Sequence, residues 1–145
     1  MRDPKRTGQL VDVYRLREEQ AEAAVSTAGQ RVEHEQQRQH ALEQYLAEYA
    51  GAGPQAGALS AGALANRCAF VAKLADACRH QSSVVEQQQA GLSREFTKLQ
   101  QRQTEHRRME HLHASACDHR EQDRRRQEQR AQDEAAMTQW LLSAG

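Results

Sequence analysis

A seven-residue apolar repeat runs through the middle of the chain and predicts a long helix. Its members are Leu64, Val71, Cys78, Val85, Leu92 and Leu99. Leu74 begins a second line three positions after Val71, and Gln81 and Gln88 make that line partly polar. Such a repeat keeps one side of a helix against a partner only if the two helices supercoil. The repeat therefore predicts a coiled-coil seam, whose partner helix comes from this chain or another.

A weaker seam precedes it, with residues alternating at steps of three and four. Its members are Val11, Tyr14, Ala21, Val25, Ala28, Val32, Leu42, Leu46 and Tyr49. Glu18, Glu35 and Gln39 fall on the same line and interrupt it. The middle of this seam is built of alanines, which let two helix backbones approach closely but bury little area per residue. The pattern predicts a first helix with a thin apolar face.

The first helix has a recognisable start signal. Asp3 is a capping residue, and Pro4 suits the first helical turn. Thr7 is a second candidate cap, because Gly8 weakens a start at Asp3. Both possibilities place the beginning of the helix within the first eight residues.

One stretch clearly breaks the helical pattern. Residues 51–57 contain three glycines and Pro54, and Ser60 then offers a cap for the next helix. The stretch lacks the Gly-Lys-Ser/Thr ending of a phosphate-binding loop, so we interpret it as a hairpin turn. The predicted architecture is one coiled-coil domain over residues 1–145, with helices at about 4–50 and 60–142 and a loop at 51–59.

Unequal helix lengths predict an overhang. An antiparallel hairpin folded at Pro54 puts Leu42 near Phe70 and Ala28 near residues 83–84. The first helix is then used up by about residue 100, which leaves the mostly polar stretch from Gln103 to Gln139 without an intramolecular neighbour. The predicted fold class is all-α, a long antiparallel two-helix coiled coil whose C-terminal helix overhangs.

Composition agrees with a helical interaction protein. Only 38% of the 145 residues are hydrophobic and 4% aromatic, too few to fill a thick core. Basic and acidic side chains balance at 20 each, whereas non-specific nucleic-acid or membrane binders usually show a basic excess. Three cysteines without a CxxC pair favour free thiols. With no signal-peptide core and no membrane-spanning stretch, we expect a soluble cytoplasmic chain.

Two polar clusters are candidate sites. Between Asp118 and Glu134 five arginines stand among six acids without an interleaved aromatic residue. A solvated, self-neutralising face, a protein-docking face and a nucleic-acid contact all remain open there. His106, His113 and Cys117 share a helical face, but three ligands on one helix do not close a zinc site. We expect no metal, no cofactor and no catalytic residues, since paired carboxylates, a Ser/His/Asp set and a glycine fingerprint are missing.

Large apolar side chains gather near the hairpin turn. Leu42, Tyr45 and Tyr49 follow one another at steps of three and four, and Phe70, Leu74 and Ala77 mirror them on the second helix. The cluster either clamps the turn or exposes a patch for a partner, and both can hold at once.

The sequence resembles the flagellar FliJ proteins from about Leu10 to Met137. The resemblance rests on the order Leu42-Glu-Gln-Tyr45-Leu-Ala-Glu-Tyr49, a small-residue loop, Leu64-Ala-Asn66-Arg-Cys-Ala-Phe70-Val-Ala-Lys-Leu74, Gln81, and the terminal pairs Glu128-Gln129 and Asp133-Glu134. Arg38 and Gln81 depart from the enteric pattern, which has Gln and His there. Trp140-Leu141-Leu142 has no family counterpart that we can place.

The resemblance implies an antiparallel coiled coil that acts as the stalk of the flagellar export ATPase ring. It also implies contacts with the cytoplasmic domain of the export gate and with export chaperones, so that the chain reaches the membrane only through partners. By the same resemblance, the gate-contacting face is Leu42, Tyr45, Tyr49, Phe70, Leu74 and Ala77. A virulence type III stalk protein is the nearest alternative, and a basic-tailed nucleic-acid binder is a more distant one.

Overall fold

The protein forms two long helices packed against each other. The computed structural model describes residues 3–51 and 60–145, in which α1 spans Pro4–Gly51 and α2 spans Ala61–Ala144. No strand occurs in those two ranges, which confirms the predicted all-α hairpin. Gly51 is still helical, and the rest of the predicted loop at 51–59 lies outside the described residues. The single domain over 1–145 stays a prediction.

Both helices begin at the caps that the sequence indicates. Oδ1 of Asp3 accepts a hydrogen bond of 3.1 Å from the backbone N–H of Lys5, and Pro4 opens α1. Oγ of Ser60 accepts a hydrogen bond of 3.2 Å from the N–H of Ala63 at the start of α2. Each cap satisfies one of the N–H groups that a helix start leaves without an intrahelical acceptor.

The chain divides into two compact units. The central unit comprises Ala21–Leu99, and the terminal unit comprises Met1–Gln20 with Gln100–Gly145. Each unit contains a segment of α1 and a segment of α2, and each is described below by itself.

In the central unit the two helix segments run antiparallel. Tyr49 contacts Phe70, and farther back along α1 Glu35 contacts Gln81. The sequence expects Leu42 near Phe70, but the residue against Phe70 is Tyr49, one heptad farther along α1. Both positions lie on the same predicted seam, so the seven-residue repeat alone does not distinguish the two registers.

In the terminal unit the segments are also antiparallel, and the pairing is longer than the sequence predicts. Thr7 contacts His113, and Asp3 lies 3.9 Å from Arg120. Ala116 is completely buried. The predicted start of the overhang at Gln103 is therefore wrong, because α2 is paired with α1 as far as Arg120. The predicted overhang itself is present beyond that residue. The side chains that continue the α2 seam are polar ones that find polar partners on α1. Glu121 is half-buried, and every residue from 122 to 145 is exposed.

The hydrophobic interior is thin. Within the described ranges the buried hydrophobic residues are Val11, Val32, Val85 and Ala116. Two packed helices have too little interior to enclose large side chains on all sides. Neither α1 nor α2 has an apolar stretch that would let it cross a membrane, as far as the described residues go.

Candidate partner-binding surface

The six residues of the predicted patch separate into an inner and an outer group. Leu42, Leu74 and Ala77 are half-buried. Tyr45, Tyr49 and Phe70 are exposed, at 55%, 43% and 44% of their surface. The inner residues help to hold the helices together, whereas the three rings present aromatic surface to solvent. Large aromatic side chains are the residues that most often dominate protein–protein binding.

Two of the three exposed rings, Tyr49 and Phe70, contact each other within the central unit. Tyr49 and Phe70 pack edge to face, with ring centroids 4.9 Å apart and planes inclined by 74°. Arg67 donates a hydrogen bond of 2.9 Å from Nη2 to the carbonyl oxygen of Tyr49, near the end of α1. The patch thus combines a ring contact between α1 and α2 with aromatic surface exposed to solvent, and its binding to a partner stays a prediction.

The six predicted seam residues follow the packing side of α2 with one exception. Val85 is buried, and Val71, Cys78, Leu92 and Leu99 are half-buried. Leu64, in the first turn of α2, remains 41% exposed. Cys78 therefore behaves as a small seam residue, and all three cysteines are free thiols.

A polar contact interrupts the seam of the central unit. Gln81 is 95% buried, and its Nε2 donates to the carbonyl oxygen and to Oε2 of Glu35, at 3.0 and 2.5 Å. Glu35 Oε1 also lies 3.8 Å from the guanidinium of Arg38. The two residues that break the apolar lines thus satisfy each other. Gln81 is drawn inward and does not form a polar edge of the exposed patch.

A second polar contact lies in the terminal unit. Nδ1 of His106 is 2.5 Å from Oε2 of Glu18, and both side chains are at least 80% buried. Nε2 of His106 lies 2.9 Å from Oε1 of Glu110, at an orientation that completes no hydrogen bond. The His106 ring thus lies between a carboxylate of α1 and a carboxylate of its own helix.

A third polar contact lies nearer the start of α1. Thr7 is 4% exposed, and its hydroxyl shares a hydrogen bond of 2.9 Å with Nδ1 of His113. Gly8 lies against the same ring: a Cβ at this position would come within 3.3 Å of its Cε1. On the far side of the ring, Nε2 of His113 is 3.8 Å from Sγ of Cys117.

These contacts separate the three residues that the sequence considers as metal ligands. His106 turns to Glu18, whereas His113 lies between Thr7 and Cys117. In the portion of the chain that the structure describes, no group of three or more histidine, cysteine or acidic side chains is arranged to hold a metal ion.

The seam role of the two histidines was missed from the sequence, although a signal was present. His106 and His113 follow Leu99 at the same seven-residue steps as the rest of the repeat. Both lie in the mostly polar stretch from Gln103 to Gln139, for which the sequence predicts no intramolecular neighbour. For His106 the polar interruption Glu18 on α1 is the complementary signal, since a buried polar side chain requires a hydrogen-bonding partner.

The arginine-rich segment of α2 neutralises itself, as one of the sequence readings proposes. Arg124 pairs with Glu121 at 2.6 Å and with Glu128, and Arg125 lies 3.3 Å from Glu121. The hydrogen bond from Arg124 lowers the pKa of Glu121 below its ordinary value of 4.5, and Glu121 in turn raises the pKa of Arg124. These groups are exposed to solvent, so such pairs contribute little to stability.

Comparison with known proteins identifies the family. No curated protein and no solved structure matches the chain. The model of the family described as flagellar FliJ protein matches residues 4–145. The match covers both helices and includes the three polar contacts. It also includes the six patch residues, which we call the aromatic patch: Leu42, Tyr45, Tyr49, Phe70, Leu74 and Ala77. The chain therefore belongs to the flagellar FliJ family, whose members are components of the flagellar type III protein export apparatus.

Proposed function

We propose that the protein is a non-enzymatic stalk of the flagellar export ATPase ring. In this role it couples the ring to the cytoplasmic domain of the export gate and escorts export chaperones. It reaches the membrane through these partners. The aromatic patch is the gate-contacting surface, formed by Leu42, Tyr45, Tyr49, Phe70, Leu74 and Ala77.

The observation that carries this proposal is the exposure of aromatic rings on a chain that has few. Aromatic residues make up 4% of the sequence, yet Tyr45, Tyr49 and Phe70 lie together at one end of the central unit. The Tyr49 and Phe70 rings restrain each other by edge-to-face packing, so this part of the surface is preorganised for binding. Such a surface loses little conformational entropy when a partner covers it.

Substitution of the rings tests the gate contact. The double variant Tyr45→Ala with Phe70→Ala should weaken binding to the purified cytoplasmic domain of the gate by roughly a hundredfold, because it removes two aromatic contacts. Phe96→Ala is the matched control, since Phe96 is an equally exposed ring, 49%, outside the patch. Binding is measured by calorimetry and helix content by circular dichroism. Parallel loss of both would mean that the rings serve only the fold.

Reconstitution tests the stalk role separately. Adding the full chain to purified export ATPase should increase ring assembly and ATP hydrolysis up to a fixed stoichiometry. A flat response at every ratio would contradict the stalk role and leave the gate contact standing. Retention of export chaperones on the immobilised chain tests the escort role in the same preparation.

A further inference from the structure

We propose that a groove in the central unit binds acidic side chains of a partner protein through Arg31 and Arg94. The groove has a volume of about 360 Å³ and lies between α1 and α2. Arg31 lines it from α1 and Arg94 from α2. We call it the Arg31–Arg94 groove. It shares no residue with the aromatic patch, and the proposal does not depend on the function proposed above.

The groove exists because two positions along it have small side chains. Ala28 and Gly91 line the groove, and Gly91 has no side chain to occupy it. Nη2 of Arg94 lies 3.8 Å from the point where a Cβ on Gly91 would sit, so the guanidinium covers the glycine. Small residues on facing helices leave a concave space beside the seam, and here a cationic group borders it.

The two arginines are available for an external anion. Neither guanidinium has a carboxylate partner within residues 3–51 and 60–145, whereas Arg15, Arg38 and Arg79 each lie beside an acidic side chain. Glu95 also lines the groove, but its carboxylate is 3.7 Å from Nζ of Lys98. With two guanidinium groups and one carboxylate, the charged residues that line the groove carry a net positive formal charge.

The chemistry of the lining favours carboxylates. A guanidinium offers paired N–H donors that match the two oxygens of a carboxylate. The amides of Gln87 and Gln88 add further donors along the same wall. A second groove of about 300 Å³ shares Arg31 and Gln88 but is also lined by Glu35, so the proposed site is confined to the Arg31–Arg94 groove. Aromatic rings that would stack on bases do not line either groove, which disfavours nucleic acid.

Binding of a synthetic glutamate-rich peptide tests the proposal. The probe is a labelled peptide with glutamate at every second position, compared with the same peptide carrying glutamine. We expect the full chain to bind the glutamate peptide, with shifts of the Arg31 and Arg94 Nε–H resonances in NMR spectra. Binding should weaken as salt rises, because the contact is between exposed charges. Equal binding of both peptides, or of neither, would overturn the proposal.

Variants locate the site. Arg31→Gln with Arg94→Gln should weaken peptide binding roughly tenfold, the loss expected for two charge-assisted contacts at an exposed site. Arg107→Gln with Arg108→Gln removes the same charge from exposed positions in the terminal unit and should leave binding unchanged. Equal loss in both pairs would show non-specific attraction and contradict the proposal. Gly91→Leu fills the groove without changing charge and should also abolish binding.

A small anion distinguishes a side-chain groove from a simple anion site. Inorganic phosphate should compete with the glutamate peptide only at concentrations far above that of the peptide, because it uses the two charges without the rest of the wall. If phosphate displaces the peptide at equal concentration, the groove is a phosphate site and the proposal of a protein partner is wrong.

Discussion

The central and terminal units use the same spacing of inward residues with different chemistry. In the central unit the seam is mainly apolar, with Val32 and Val85 buried and one polar contact between Glu35 and Gln81. In the terminal unit two of the seam positions on α2 are histidines. A heptad repeat thus specifies which side of a helix packs, but it does not specify how strongly the packing holds.

The difference separates two tasks that a seam performs. Apolar side chains supply most of the free energy of association, roughly in proportion to the area that they bury. Buried polar pairs add little net stability, but a shifted register would leave each partner unsatisfied. In this protein Glu18–His106, Thr7–His113 and Glu35–Gln81 are such pairs. We therefore expect apolar substitutions to act mainly on stability and polar substitutions mainly on register.

The largest effect should come from the apolar seam of the central unit. Val85 is 93% buried, so Val85→Ala should lower the free energy of unfolding by about 2 kcal/mol. Val13→Ala is the control, because Val13 is 45% exposed and should change it by less than about 0.5 kcal/mol. Urea titrations followed by circular dichroism measure both. Similar losses in the two variants would contradict the expectation that the buried valine contributes more to stability than the exposed one.

A smaller effect is expected at the polar seam of the terminal unit. A double-mutant cycle with Glu18→Gln and His106→Gln should give a coupling energy of about 1 kcal/mol. His111→Gln is the control, because His111 is exposed and lies outside the seam. Amide hydrogen exchange in the terminal unit reports the result. A coupling energy near zero would mean that Glu18 and His106 lie close together without stabilising the folded state.

The contact between Glu35 and Gln81 in the central unit should contribute no more free energy than the contact between Glu18 and His106. Gln81→Ala removes the donor to Glu35 and should lower the free energy of unfolding by about 1 kcal/mol. Gln89→Ala changes an exposed glutamine of the same helix and should have almost no effect. Disulfide cross-linking between engineered cysteines tests whether the Gln81 variant also populates shifted registers. A single unshifted product would contradict its role in register.

The smallest effect concerns the exposed end of α2. The hydrogen bond from Arg124 lowers the pKa of Glu121, so the charged form is favoured in the helix. The stabilisation is complete above the ordinary pKa of 4.5 and is lost as the pH falls through the lower value. Carbon chemical shifts of residues 121–128 should show helix loss only at acidic pH. Glu121→Gln should reduce the change in helix content with pH. If the change is as large as in the unmodified chain, other carboxylates are responsible for it.

The sequence predicted the fold well because apolar periodicity and capping residues are local signals. The caps at Asp3 and Ser60 and the alternating line on α1 agree with the structure. The extent of pairing was missed at His113, because a polar residue on a heptad position can face either solvent or a partner. That choice depends on Thr7, which is far away in sequence and close only after folding. The Arg31–Arg94 groove was missed for the same reason.

Gly8 has a consequence for the tolerance of α1 to mutation. Alanine in place of a helical glycine ordinarily stabilises a helix by about 1 kcal/mol. Here the added methyl group would lie 3.3 Å from the His113 ring and displace it by a few tenths of an ångström, against its bond to Thr7. Substitutions at position 8 are therefore restricted by packing against His113 rather than by contact with a ligand or partner. The glycine that lowers the helix propensity of the first turns of α1 is the residue that permits the close approach of the His113 ring.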